Sequence, residues 1–146
     1  MKATIIAIGK CKKNSPEMEI ISEYIKRSQW QISIKEKDNS NPKDEADFLL
    51  SSIPPKSKVI VLDEKGINIS SKELAQIIQD WQSTGTSEIC FLIGGADGHL
   101  PSVRQRADLL LSFGKLTLPH MLIRAVLSEQ IYRIQTIISG HPYHRE

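Results

Sequence analysis

The sequence predicts an α/β fold: a mostly parallel sheet flanked by helices on both faces. Three observations predict it. Strand-like and helix-like segments alternate along the whole chain. The runs KVIVLD (58–63) and EICFLIGG (88–95) are apolar without alternation, as expected of strands buried on both faces. A length of 146 residues suffices for one domain with a sizeable core, so residues 1–146 are read as a single domain.

Each element follows from its residues. ATIIAIGK (3–10) is a β-branched run and reads as the first strand. Ser15 then stands where an N-cap belongs, Pro16 opens a helix, and Met18, Ile21 and Ile25 share one face. QISIKEK alternates Ile32 and Ile34 with polar residues, the period of a half-buried strand. NPKDEADFLLSSI reads as a second helix, closed by Pro54 and Pro55. After the strand 58–63, Ser70 and Glu73 have capping-box spacing, and Gly85 suits the end of that helix. Trp81 on it is read as core. Beyond the strand 88–95, PSVRQRAD is a short helix and LLLSFGKLTL a last strand or extended segment. PHMLIRAVLSEQIYRIQTIISG is the longest helix, with Pro119 near its start and Gly140 just after it. Its apolar stripe is broad, which calls for burial on more than one side.

Composition excludes several classes. The hydrophobic and charged shares are those of an ordinary globular chain. Nineteen basic against 17 acidic residues leave a net charge of +2, too weak for a dedicated nucleic-acid binder, so any RNA contact needs local patches. Cys11 and Cys90 lie far apart without metal-ligand spacing, which argues for a reducing compartment and against a disulfide framework or a zinc site. The opening MKATIIAIGK is too short for a secretory segment, and no stretch reaches the ~20 apolar residues of a membrane span. A cytoplasmic protein without membrane or metal is expected.

In such sheets ligands sit beyond the carboxyl ends of the strands. Three segments end a strand there: VLDEKG, LIGGADG and KLTLPH. Gly94, Gly95 and Gly98 allow close backbone approach to a ligand, although they match neither the GxGxxG nor the P-loop pattern and serve equally as a tight turn. Leu116, Leu118 and Leu122 flank a helix entry whose amides are unpaired, either an adenine-sized slot or a hydrophobic staple. His120 falls in that first turn and Arg124 four residues later on the same face; both are solvated or both line one cleft. The chain closes on SGHPYHRE, an unusual concentration of proton-moving and anion-binding groups.

Together, LIGGADG, LSFGKLTLPHMLIRAVLSEQIYRI and the terminal HPYHRE resemble the SPOUT-class methyltransferases that modify a pseudouridine in bacterial 23S ribosomal RNA, and MKATIIAIGK fits as well. The resemblance spans essentially the whole chain. It implies a carboxy-terminal trefoil knot, a homodimer, and S-adenosylmethionine bound within the knot without metal. It implies methylation at N3 of the pseudouridine in assembled ribosomes. Cofactor contacts are expected at Leu62, Gly95, Gly114, Lys115, Leu116, Thr117, Leu118 and Pro119.

On that basis His144 is expected to accept or relay the N3 proton, with His120 as the competing base. Arg145, with Arg124, would stabilise the charge on the base or hold a phosphate, and Tyr143 would stack on or hydrogen-bond the base. Two rivals stand beside this reading: a tRNA ribose 2′-O-methyltransferase of the same superfamily, and a ribosome-binding factor without catalysis.

Overall fold

The computed structural model describes residues 1–143. The elements run β1 (Lys2–Ile8), α1 (Pro16–Arg27), β2 (Gln31–Lys37), α2 (Pro42–Ser51), β3 (Lys58–Ile67), α3 (Ser71–Ser83), β4 (Glu88–Ile93), α4 (Pro101–Arg106), β5 (Leu109–Leu111) and α5 (His120–Ser139). The strands form one sheet in the order β2-β1-β4-β3-β5, and every pair is parallel.

The two-residue period of a strand explains the unbroken apolar runs. Ala3, Ile5, Ile60, Ile89 and Phe91 face Leu74, Ala75 and Ile78 of α3 and Leu127, Ile131 and Ile134 of α5. The alternate residues Ile6, Ile8, Val59, Val61 and Leu92 face Ala46 and Leu49 of α2 and Val103 of α4. Each Val, Leu, Ile or Phe among them contributes on the order of 1.5–3 kcal/mol when fully buried. Trp81 packs against the first of these clusters. Both cysteines are buried free thiols, and burial pushes the Cys90 thiol up to about 11.

The helix starts follow the capping chemistry. The Met18 amide donates to Ser15 Oγ at 3.2 Å and the Asp44 amide to Asn41 Oδ1 at 2.8 Å. Ser70 and Glu73 form the full reciprocal box. Gly140 ends α5 at φ +77°, a conformation that favours glycine. The start of α5 differs: Pro119 occupies the N-cap and offers no side-chain acceptor to the first-turn amides.

Two boundaries depart from the sequence reading, and both shape the site. β3 does not stop at Asp63. Leu62 and Ile67 both pair with Leu111, so residues 63–66 bulge out between them and the chain rejoins β5. The last strand is only three residues long. Ser112 Oγ accepts from the Gly114 amide at 3.1 Å and Gly114 takes φ +118°, which turns the chain off the sheet edge. From that edge the chain crosses back, and α5 packs against both α3 and α1. This double contact accounts for the broad apolar stripe.

Candidate functional site

A cavity of about 600 Å³ opens where the carboxyl ends of β3, β4 and β5 meet the start of α5. Its walls come from all three segments that the sequence marks as strand ends. The size falls within the range of small-ligand sites. On the β4 side, the Gly98 amide donates to the Gly95 carbonyl at 3.0 Å and closes a turn, with Gly98 at φ +76°. A Cβ on Gly94 would stand 2.9 Å from the His99 ring, and one on Gly95 would stand 3.0 Å from Glu45 Oε1. Glycine at both positions therefore lets the strand end lie flat between the loop behind it and the cavity in front.

On the β3 side, the bulge is braced from within. Asp63 accepts from the Lys65 amide at 2.8 Å and from Arg104 Nε at 2.8 Å, and its side chain is only 3% exposed. Burial alone would raise the Asp63 carboxyl. The hydrogen bonds from Lys65 and Arg104 outweigh it and hold the group below its ordinary value. His99, buried between the two strand ends, has Nε2 3.0 Å from the Leu62 carbonyl.

The third wall is the segment that leaves β5. Leu62, Gly95, Gly114, Lys115, Leu116, Thr117 and Leu118 all line the cavity. Leu116 is 85% exposed, so it stands at the rim. Pro119 does not line the cavity; it caps α5 between Leu118 and His120, both of which do. His120 Nδ1 is buried and has no hydrogen-bond partner among the described residues.

Arg124 is placed elsewhere. It is fully buried, pairs with Glu36 Oε2, and donates from Nη2 to the Gly9 carbonyl at 3.0 Å. Its side chain ties α5 to the ends of β1 and β2 and is not part of the cavity wall. His120 and Arg124, one helical turn apart, thus do different work.

A family model described as "Predicted SPOUT methyltransferase" matches residues 1–144. The chain belongs to the SPOUT methyltransferase family. As a SPOUT methyltransferase it needs a methyl donor. The chain is 47% identical to the ribosomal RNA large subunit methyltransferase H of Zymomonas mobilis, with 100% of this chain and 99% of that protein covered. It is 45% identical to the enzyme of the same name from Paramagnetospirillum magneticum and 41% identical to that of Rhodospirillum centenum, with 99% of each chain covered in both cases.

The tail of this SPOUT methyltransferase is only partly described: His144 and Arg145 lie outside the described residues. Tyr143 packs edge-on to Tyr132 with centroids 4.7 Å apart, under the Arg133 guanidinium at 5.2 Å, and its hydroxyl lies 3.4 Å from that of Tyr24. Burial, and then the bond with Tyr24, pushes the Tyr143 phenol up to about 12, so it stays protonated near neutrality. Among the described residues, no group of three His, Cys, Asp or Glu side chains could hold a metal ion, and no helix is long and apolar enough to cross a membrane.

Sequence reasoning missed Asp63 as an anchor, together with His99 and Arg104. Asp63 was within reach, since VLDEKG was marked. His99 and Arg104 carry no spacing signal; only the fold brings them to Leu62 and Asp63.

Proposed function

We propose that this chain is an S-adenosylmethionine-dependent enzyme that methylates N3 of a pseudouridine in 23S ribosomal RNA of assembled ribosomes. The observation that carries the reading is near-full-length identity of 41–47% to relatives named for the large ribosomal RNA, together with a cavity at the three strand ends. The family match favours an enzyme over a non-catalytic ribosome-binding factor. The relatives' names favour ribosomal RNA over a tRNA ribose hydroxyl. We read residues 1–146 as one cytoplasmic domain whose carboxy-terminal part is knotted; the return of α5 from the sheet edge to α1 supports that threading.

The residues present fit the cofactor. Gly94 and Gly95 let the backbone of the β4 end line the cavity while packing against His99 and Glu45, Leu62, Ile93, Leu111, Phe113 and Leu118 supply apolar walls, and the uncapped start of α5 presents free amides. S-adenosylmethionine supplies an electrophilic methyl group when bound. Leu62, Gly95 and residues 114–118 hold and orient it, and Pro119 fixes the helix entry behind them. Orientation is the main requirement of such a transfer.

The protein must also take the imide proton from N3 and stabilise the charge that remains on the base. His144 is the proposed acceptor and Arg145 the proposed counter-charge. A second reading assigns the proton to His120, because its Nδ1 lies buried at the cavity with no partner among the described residues. Arg124 stabilises charge only indirectly, through the placement of α5. Tyr143 orients the tail and contacts the base only if it leaves Tyr132.

The tail serves a second copy of the chain, which is why we propose a homodimer. Tyr143 lies beside Tyr132, about 18 Å along the axis from His120 at ~1.5 Å per residue, and on the α1 side of α5. Three further residues span at most ~10 Å. That is less than the distance along α5 back to His120, which favours a site completed by a second copy.

The test is methyl transfer to hypomodified ribosomes with labelled cofactor, followed by nucleoside analysis of the 23S RNA. Loss of a general base costs typically ~100- to 10,000-fold. His144→Ala should fall in that range and Arg145→Ala should also be impaired. Wild-type rates for both, with a large loss in His120→Ala, would move the proton to His120. Methylation of a ribose hydroxyl in tRNA would replace the reading altogether.

A further inference from the structure

We infer that His99 is a positioning residue for the methyl-donor site, pinning together the ends of β3 and β4. The inference rests on the cofactor reading above and names a device that reading does not require. β3 and β4 are paired as far as Leu62 and Ile93, where their ladder ends. Beyond that point β3 turns into its bulge and β4 into the glycine turn, and the cavity opens between them. The strands have separated, so the Leu62 carbonyl takes its hydrogen bond from a side chain. Nε2 of His99 stands 3.0 Å away and donates as Nε2–H. This fixes the tautomer, with Nδ1 left as the bare acceptor.

The same ring fixes the other strand. It lies where a Cβ of Gly94 would be, with Cε1 at 2.9 Å and Nδ1 at 3.0 Å from that point. One imidazole therefore sets the width of the gap between the Leu62 and Gly94 backbones, both of which line the cavity. His99 is 7% exposed, so this is a packed contact and not a surface one.

The arrangement tolerates only the neutral ring. Nδ1 is buried without a partner, so a second proton there has no acceptor. The charged groups around it are Asp63 on the β3 bulge and Arg104 on α4, which are bonded to each other, and Glu45 of α2 behind Gly95. Burial, and then the Arg104 charge, hold the His99 imidazole below its ordinary value against the pull of Asp63 and the Leu62 bond. Acid that does protonate it keeps the Nε2–H bond to Leu62 but puts an uncompensated charge against the Gly94 backbone, which loosens the packing on the β4 side.

The experiment is calorimetric binding of S-adenosylmethionine to the full chain, with steady-state methylation beside it. His99→Leu fills the space but leaves the Leu62 carbonyl unbonded; it should bind about tenfold more weakly. It should raise KM for the donor while kcat at saturating donor stays within about twofold. His99→Gln retains a donor that reaches Leu62 and should recover most of the affinity. As the pH falls below about 6.5, the ordinary imidazole value from which burial lowers this one, the wild type should lose affinity and His99→Gln should lose less. Donor binding by the wild type with equal affinity in His99→Leu would overturn the pin alone. Absence of donor binding by the wild type would overturn the cofactor reading and the pin together. Should His99→Leu fail to fold, His99→Gln decides: an acid limb identical to the wild type's overturns the inference, and a diminished one supports it.

Discussion

At the scale of single residues, Arg124 shows how burial redirects a charged group. Its guanidinium is fully enclosed and shared between the Glu36 carboxylate and the Gly9 carbonyl, while Glu36 also accepts from the Cys11 amide at 2.9 Å. Arg124→Met removes one partner and leaves the rest in place. Breaking a buried pair costs about 3–5 kcal/mol, and the 22% exposure of Glu36 puts this case near the lower figure. Urea unfolding of Arg124→Met should show that loss, and Arg124→Lys should recover only part of it, since a single ammonium cannot copy the fork. A second residue-scale prediction concerns acid. Asp63 is held below its ordinary 3.8, so its stabilisation is complete above that value and is lost as the pH falls through the lower folded value. Asp63→Asn should be less stable than the wild type at neutral pH, and the gap should close as the pH falls below about 4. Neither role was legible in the sequence. Arg124 pairs with a residue 88 positions away, and that pairing exists only because α5 returns across β1 and β2.

At the scale of elements, most of the architecture was legible and the site-forming irregularities were not. Ser15, Ser70 with Glu73, and Gly140 mark helix boundaries because capping is local chemistry, and the structure uses each of them. The apolar runs 58–63 and 88–93 mark buried strands because a two-sided sheet demands them. Residues 63–66 read as the end of a strand because DEKG is charged and carries a glycine. The structure instead bulges there and rejoins β5 at Ile67, where the Ser112 amide donates to the Ile67 carbonyl at 2.9 Å. That pairing depends on a strand more than forty residues later, which no local pattern encodes. Gly66 makes the crossing possible: a Cβ on it would stand 2.6 Å from the backbone of Leu110 and Leu111. Backbone cannot step aside as a flexible side chain does. Gly66→Ala should therefore cost about 2 kcal/mol in denaturant unfolding, as overpacking does. It should also weaken donor binding by displacing the bulge that forms one cavity wall. A Gly66→Ala protein with unchanged stability would show that β5 is free to move, and that the bulge is not clamped as described.

At the scale of the whole molecule, the decisive relation is between the two ends of α5. Its first turn lines the cavity, and its last turns carry Tyr132 and Arg133, against which Tyr143 rests. A helix is a rigid spacer, so Tyr143, resting beside Tyr132, stands about 18 Å along α5 from His120 at the cavity. In the homodimer proposed above, antiparallel pairing of the two α5 helices would set the end of one near the start of the other. The consequence is testable by mixing. One partner lacks residues 141–146 and keeps its cavity; the other carries Gly94→Val, which drives a side chain toward the His99 ring, and keeps its tail. Each alone should be inactive. If the tail works across the interface, a mixed pair contains one complete site, and random exchange makes half of all pairs mixed. Equal mixing should therefore restore about a quarter of wild-type methylation. If the tail works within its own chain, no mixed pair contains a complete site, and activity should stay at the level of the separate variants. Tagging one variant and capturing the other with it confirms that mixed pairs formed, so an inactive mixture that contains them would place the tail back on its own subunit.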